Sequence, residues 1–281
     1  MSKVKTKDLP KFEFPSTVKL LDELNKELKK EYRKFLRKKR ILEEVLGFGT
    51  LIIGARGKDG IVIGGDQKVI RGGEADYEEK IEIFNLGTDE NQVHVAFAAS
   101  GYLGVKEDYL KLFLEAMVDN LKEGTITSLL DIKFLAEDLI LKFDERYSSR
   151  LDSLILHFMV AGLSHLYKGR AEIYTIGSGG YGEMVKYAEF IGHGSPYVRT
   201  IAKYILDRRL LSSMSLEDIA NRMAACFYWI SEEIDSYVGG EPTIYIMRDD
   251  NPVFIRVNYD EDRVRKFVEN IKDKLREFNL E

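Results

Sequence analysis

The chain is poor in several residue types and patterns, and each shortage excludes something. It has one cysteine, Cys226, so no intramolecular disulfide can form. The apolar neighbours Ala224, Ala225 and Phe227 mark that thiol as a small buried side chain, and a reducing, cytoplasmic compartment is expected. No run of eighteen apolar residues occurs, so no transmembrane helix is expected. Residues 1–14 lack the apolar stretch of a secretory signal. Basic side chains do not outnumber acidic ones (42 against 47, net charge -5), so no nucleic-acid partner is expected. Three of the four histidines, His94, His157 and His165, show no metal-ligand spacing and read as structural. Neither a metal nor a cofactor is expected. No phosphate-binding glycine loop is present, so any ATP dependence must come from a partner. Glutamine occurs only at Gln67 and Gln92 while Lys and Glu abound, a bias seen in proteins from hot habitats.

What remains is a chain of 281 residues, 44% apolar, long enough to bury a sizeable core. After a charged tail, Leu21, Leu24, Leu28, Tyr32, Phe35, Leu42 and Leu46 recur at steps of three, four or seven. That spacing predicts a long amphipathic helix, with Thr17 as its N-cap, packed on its own domain or on a neighbouring subunit. Gly47, Phe48 and Gly49 end it. Strands are expected at 50–55 and 60–64, joined by an Asp59-Gly60 hairpin turn with glycine at positive φ. Further strands follow at 67–71, 80–84 and 92–99. Helices at 103–122 and 126–149 precede strands at 153–164, 171–176 and 187–191. Helices at 196–210 and 215–234, strands at 243–248 and 253–257, and a charged helix at 259–278 complete the chain. Alternating runs of strands and helices argue for segregated layers.

The segment Gly49-Thr50-Leu51-Ile52-Ile53-Gly54, then Lys58-Asp59-Gly60 to Asp66-Gln67-Lys68, then Glu79-Lys80-Ile81, resembles the start of a mature proteasome β-type subunit. Sixteen residues separate Thr50 from Asp66, as in that pattern. Ala99-Ser100-Gly101 before a helix, Gly192-His193-Gly194-Ser195 before another, and Asp235 to Gly240 resemble its later segments, in order, over residues 50–257. The resemblance implies an α+β fold, a four-layer αββα sandwich of the N-terminal nucleophile hydrolases, with an extra N-terminal helix. Residues 1–49 become a helical extension and candidate propeptide, 50–257 the proteasome-like domain, and 258–281 a C-terminal helix packed on it.

Carried over, the resemblance makes Thr50 the nucleophile and, through an α-amine freed by self-cleavage between Gly49 and Thr50, the base. A threonine hydroxyl needs such a base within reach, and an α-amine with an ordinary pKa of roughly 8 suits neutral pH. Lys80 would favour the developing alkoxide and Asp66 would hold Lys80. The Gly101 amide would form the oxyanion hole, a contribution of about 2.7–4 kcal/mol in other hydrolases. Asp235 would help hold the threonine. Val69, Ile70 and Arg71 would pair with the substrate backbone, and Ala99 and Leu103 would face an apolar specificity pocket. The implied substrate is a peptide or unfolded protein. The implied partners are other subunits, alike or different, in a ring, and an ATP-dependent unfoldase.

Two positions depart from the pattern. His193 stands where the family has the serine of a Gly-Ser-Gly turn, and Val238 stands where it has the serine after Asp235. Histidine can replace a hydroxyl as a proton carrier, whereas valine cannot hydrogen-bond. Three readings therefore stay open: a threonine-type endopeptidase, an unprocessed, non-catalytic structural or gating subunit of the same fold, and an amidohydrolase of that fold acting on a small molecule.

Overall fold

The computed structural model describes residues 50–71, 74–86, 93–101, 103–147, 156–165, 168–192, 198–199, 201–202 and 205–277. The expected leader helix with its Thr17 cap, Gly49, and the His193 turn lie outside the described residues. The compact unit is Gly47–Glu269; residues from Asn270 onward belong to a second unit and are described only as the end of the last helix.

Twelve strands and five helices are found among the described residues. The first sheet has the order β10 (Ala188–Gly192), β1 (Leu51–Arg56), β2 (Gly60–Gly65), β11 (Thr243–Arg248) and β12 (Asn251–Arg256). The second runs β5 (Ile81–Leu86), β6 (Val93–Gly101), β7 (Leu156–His165), β8 (Lys168–Ile176) and β9 (Gly182–Met184). A separate ribbon pairs β3 (Lys68–Arg71) with β4 (Glu74–Tyr77). All pairings within the sheets are antiparallel.

β1 and β2 are buried along almost their whole length, and so they read as unbroken apolar runs rather than alternating ones. Ile52, Ile61 and Ile63 meet Ala96, Ala98, Met159 and Ala161 in a core shared by the two sheets. On its other face the second sheet carries α1 (Leu103–Lys122) and α2 (Leu129–Tyr147). Phe97, Phe113, Phe158 and Tyr109 stack there, with the Tyr109 and Phe158 rings 4.2 Å apart. Tyr109 also donates its hydroxyl to the Ala136 carbonyl at 2.7 Å, which ties α1 to α2. A short α3 (Arg208–Leu211) precedes α4 (Leu216–Glu233), and α5 (Glu261–Glu277) is last. α4 starts at Ser215, whose hydroxyl accepts from the Asp218 amide, and buries Leu216, Ile219, Met223 and Phe227.

The structure departs from the sequence reading in three places. The 58–60 turn does join β1 to β2, but Gly60 lies outside the left-handed region. Its missing side chain serves packing instead: a Cβ there would strike the Met247 carbonyl and sit 2.8 Å from a Leu216 methyl. The helix expected over 196–210 is interrupted at Asp207, whose extended backbone (φ -61, ψ 124) and side chain cap α3. The β3–β4 ribbon and β9 include strands that alternation did not reveal, because the exposed β4 has no apolar face.

Candidate active site

The site is assembled at the start of β1. Thr50 is partly buried and precedes Leu51, which pairs with Gly192 at the end of β10. Asp66 follows β2 and clamps this point from two sides. Its amide donates to the Leu51 carbonyl at 3.0 Å, and its Oδ1 accepts the Leu51 amide at 2.6 Å. Lys80, just before β5, donates to the same Oδ1 at 2.7 Å and to the Lys68 carbonyl at 2.6 Å. Both side chains are almost fully enclosed, Asp66 at 1% and Lys80 at 4% exposure.

Burial pushes Asp66 above the ordinary carboxylate range, against the pull of the Lys80 ammonium and of the Leu51 and Gly239 amides. Burial brings Lys80 down to about 8, with Asp66 opposing the shift and Lys106 adding to it. The outcome is a lysine beside the Thr50–Leu51 backbone that exchanges its proton near neutrality.

Asp235 belongs to a turn tied to the same carboxylate. It follows α4, accepts the Tyr237 amide at 3.0 Å, and receives the Val238 amide on its carbonyl at 3.1 Å. One residue on, the Gly239 amide donates to Asp66 Oδ2 at 3.2 Å, while the Gly239 carbonyl accepts from Gln67 and Lys68. Lys68 Nζ closes the turn on the Ser236 carbonyl. Asp66 is thus the joint between β1, Lys80 and the Asp235 turn.

Gly101 ends β6 with φ +147, a value disfavoured for a side-chain-bearing residue, directly before the N-terminus of α1. Amides at such a helix end favour negative charge. Val69, Ile70 and Arg71 form β3, which has one strand partner, β4, among the described residues. Ala99 is 4% exposed and packs with the helix-side core; Leu103 opens α1. The structure therefore brings Leu51, next to Thr50, together with Asp66, Lys80 and the Asp235 turn through hydrogen bonds to one carboxylate. Val238, where a hydroxyl was expected, is buried at 1% exposure. A cavity of about 650 Å³ lined by Glu189, Phe190, Arg199 and Leu206 involves none of these residues.

Sequence reasoning missed three contributors. The carbonyl of Lys68 and the amide of Gly239 are backbone groups, invisible to residue type. Ser100 is a buried polar side chain at 8% exposure that follows Ala96 and Ala98 on the inter-sheet face. That two-residue step was the available signal.

A buried Asp–Lys pair at a strand-opening threonine, between two facing antiparallel sheets, defines the class of proteasome-type subunits. Residues 48–247 match the family model described as Proteasome subunit, and the chain belongs to that family. Among solved structures it is similar to a Gly-1 mutant of Anbu from Hyphomicrobium sp. strain MC1 (17% identity, TM-score 0.65, 82% of this chain and 96% of that one). It is likewise similar to Anbu, described as an ancestral beta-subunit, from Yersinia bercovieri (14%, 0.63, 80% and 94%). A third is the helical assembly of the Anbu complex from Pseudomonas aeruginosa (17%, 0.65, 81% and 96%). At these identities the likeness concerns the fold. No curated protein matches the chain.

Proposed function

We propose that this protein is a threonine-type endopeptidase, made as a precursor and cleaved between Gly49 and Thr50, that hydrolyses peptide bonds of unfolded proteins within an oligomeric assembly. The observation that carries this reading is the enclosed Lys80–Asp66 pair, bonded to the backbone of the residue after Thr50. Once residues 1–49 are removed, the Thr50 amine takes the proton from its own hydroxyl as the oxygen attacks the substrate carbonyl. Lys80 lowers the cost of the alkoxide, Asp66 fixes Lys80, the Gly101 amide receives the oxyanion, and Asp235 holds the turn beside the nucleophile. The extended substrate lies along β3, and Ala99 and Leu103 border its side-chain pocket. The packing of α1 and α2 on one sheet and α4 on the other supports an αββα order of layers. The helical assembly of the Pseudomonas Anbu complex supports assembly of this chain with further subunits. His193 is kept as a proton carrier, an unfoldase as the source of unfolded substrate, and the cytoplasm as the site of action.

Hydrolysis of a panel of fluorogenic peptides by the purified protein tests the reading. Wild type should turn over at least one peptide and Thr50→Ala none; equal rates in both would remove Thr50 from the chemistry. The buried Val238, with no hydroxyl to offer, favours the second reading of an unprocessed structural subunit. That reading calls for no turnover in either protein.

A further inference from the structure

Gly240, Glu241 and Pro242 follow Gly239, whose amide holds Asp66, and they line a cleft of about 280 Å³ that has no part in the proposed hydrolysis. Its other walls come from α4, α5 and Tyr259, all within the compact unit Gly47–Glu269. Ala224 of α4 and Val264 of α5 are its buried apolar side chains, and the half-buried rings of Tyr228 and Tyr259 line it too. The volume is near the lower end of ligand pockets, about 300–1,000 Å³. Three carboxylates, Glu232, Glu241 and Glu261, share the cleft with one guanidinium, that of Arg265. Arg265 lies over the Tyr228 ring, 5.2 Å from its centroid, and 3.9 Å from Glu261. That accounts for one carboxylate. Glu232 and Glu241 have no ion pair among the described residues, so the cleft keeps an excess of two negative charges.

Further features of the cleft decide what kind of cation suits it. α4 ends here with Glu232 in its last turn and no basic residue there, and a helix C-terminus favours positive charge. Burial and the carboxylates of Glu241 and Glu261 push the Tyr259 hydroxyl up to about 12, against the pull of Arg256, so this wall stays a neutral aromatic ring. Ring faces of this kind attract organic cations. A compact metal ion is a poor match, because no three acidic, histidine or cysteine side chains converge on one point among the described residues. Separated carboxylates with aromatic walls between them match a cation whose charges are themselves separated by an alkyl chain.

We infer that this cleft between α4 and α5 binds a protonated aliphatic diamine or polyamine, one molecule per chain. The ammonium groups pair with Glu232 and Glu241, the methylenes lie against the tyrosine rings, and Arg265 stays on Tyr228 and Glu261. A lysine side chain from another subunit offers the same ammonium, but its single charge would neutralise only half of the excess. The site does not depend on the peptidase reading, since Thr50, Asp66 and Lys80 do not line it. Its link to them is the main chain that runs from Gly239 past Glu241 to the start of β11 at Thr243.

The test is isothermal titration calorimetry of the purified protein with putrescine, with butylamine and Mg²⁺ as comparison probes at matched ionic strength. The thermal midpoint of each variant is recorded to show that it is folded. Putrescine should bind saturably at one site per chain, and butylamine, with one charge, about tenfold more weakly. Glu232→Gln combined with Glu241→Gln should weaken putrescine about tenfold. Glu115→Gln combined with Glu123→Gln changes the net charge equally at exposed positions outside the cleft and should leave binding unchanged. Tyr259→Leu, which keeps apolar bulk but removes the ring, should also weaken it. No saturable binding by wild type, equal weakening in the two double variants, or equally effective displacement by Mg²⁺ would overturn the site. Butylamine binding as tightly as putrescine would overturn the dication and point to a single ammonium, such as a lysine of another subunit. None of these outcomes bears on the peptidase reading, which rests on Thr50.

Discussion

At the scale of single residues, Asp66 decides the geometry. It accepts from Leu51, Lys80 and Gly239, and those three donors come from three separate stretches of chain. Replacing Lys80 by Ala leaves that carboxylate buried with its charge uncompensated. A loss of about 3–5 kcal/mol in unfolding free energy is expected, read by urea denaturation, together with loss of turnover. A variant as stable and active as wild type would show that the pair is ornamental. The pH dependence has a definite sign. Lys80 is charged below about pH 8 and neutral above it, so the charge that favours the alkoxide disappears on the alkaline side. The plot of kcat/KM should bend down near pH 8; a level profile up to about pH 10, where a free lysine titrates, would contradict the role. The same shift makes stability rise with pH between about 8 and the unfolded lysine's value, because there the unfolded chain binds more protons. Gly192→Ala should cost about 1–3 kcal/mol through its positive φ and push the Thr50 carbonyl aside. Unchanged thermal stability and processing in that variant would mean the backbone there yields freely.

At the scale of elements, much was legible because the periodicities are strong. The helix expected over 103–122 is α1, and the β11 strand has the expected bounds of 243–248. The Thr50–Asp66 spacing was legible because two short, buried, hairpin-linked strands leave no room for slippage. Other features depend on contacts between distant segments. Gly60 looked like a turn residue, yet what it accommodates is the Met247 carbonyl of β11 and a Leu216 methyl of α4. The break at Asp207 was hidden inside an apolar pattern that continues across it. One element-level consequence is checkable by denaturation. Tyr109→Phe removes the hydroxyl bond from α1 to the Ala136 carbonyl of α2, which keeps its own helical partner, so a loss of about 0.5–1.5 kcal/mol is expected. No change would mean that ring stacking alone holds the pair.

At the scale of the whole molecule, the family is settled and the chemistry turns on one covalent event. The bonds of Asp66 and Lys80 form at Leu51, next to Thr50, but the base of the proposed mechanism exists only after the Gly49–Thr50 bond is cut. The intact mass of the purified wild-type protein is the most direct measurement. A chain that begins at Thr50, 49 residues shorter than the full sequence, is the expected result, with Thr50→Ala remaining full length. A wild-type mass equal to the whole 281-residue chain would contradict the peptidase and leave a structural subunit of the same family.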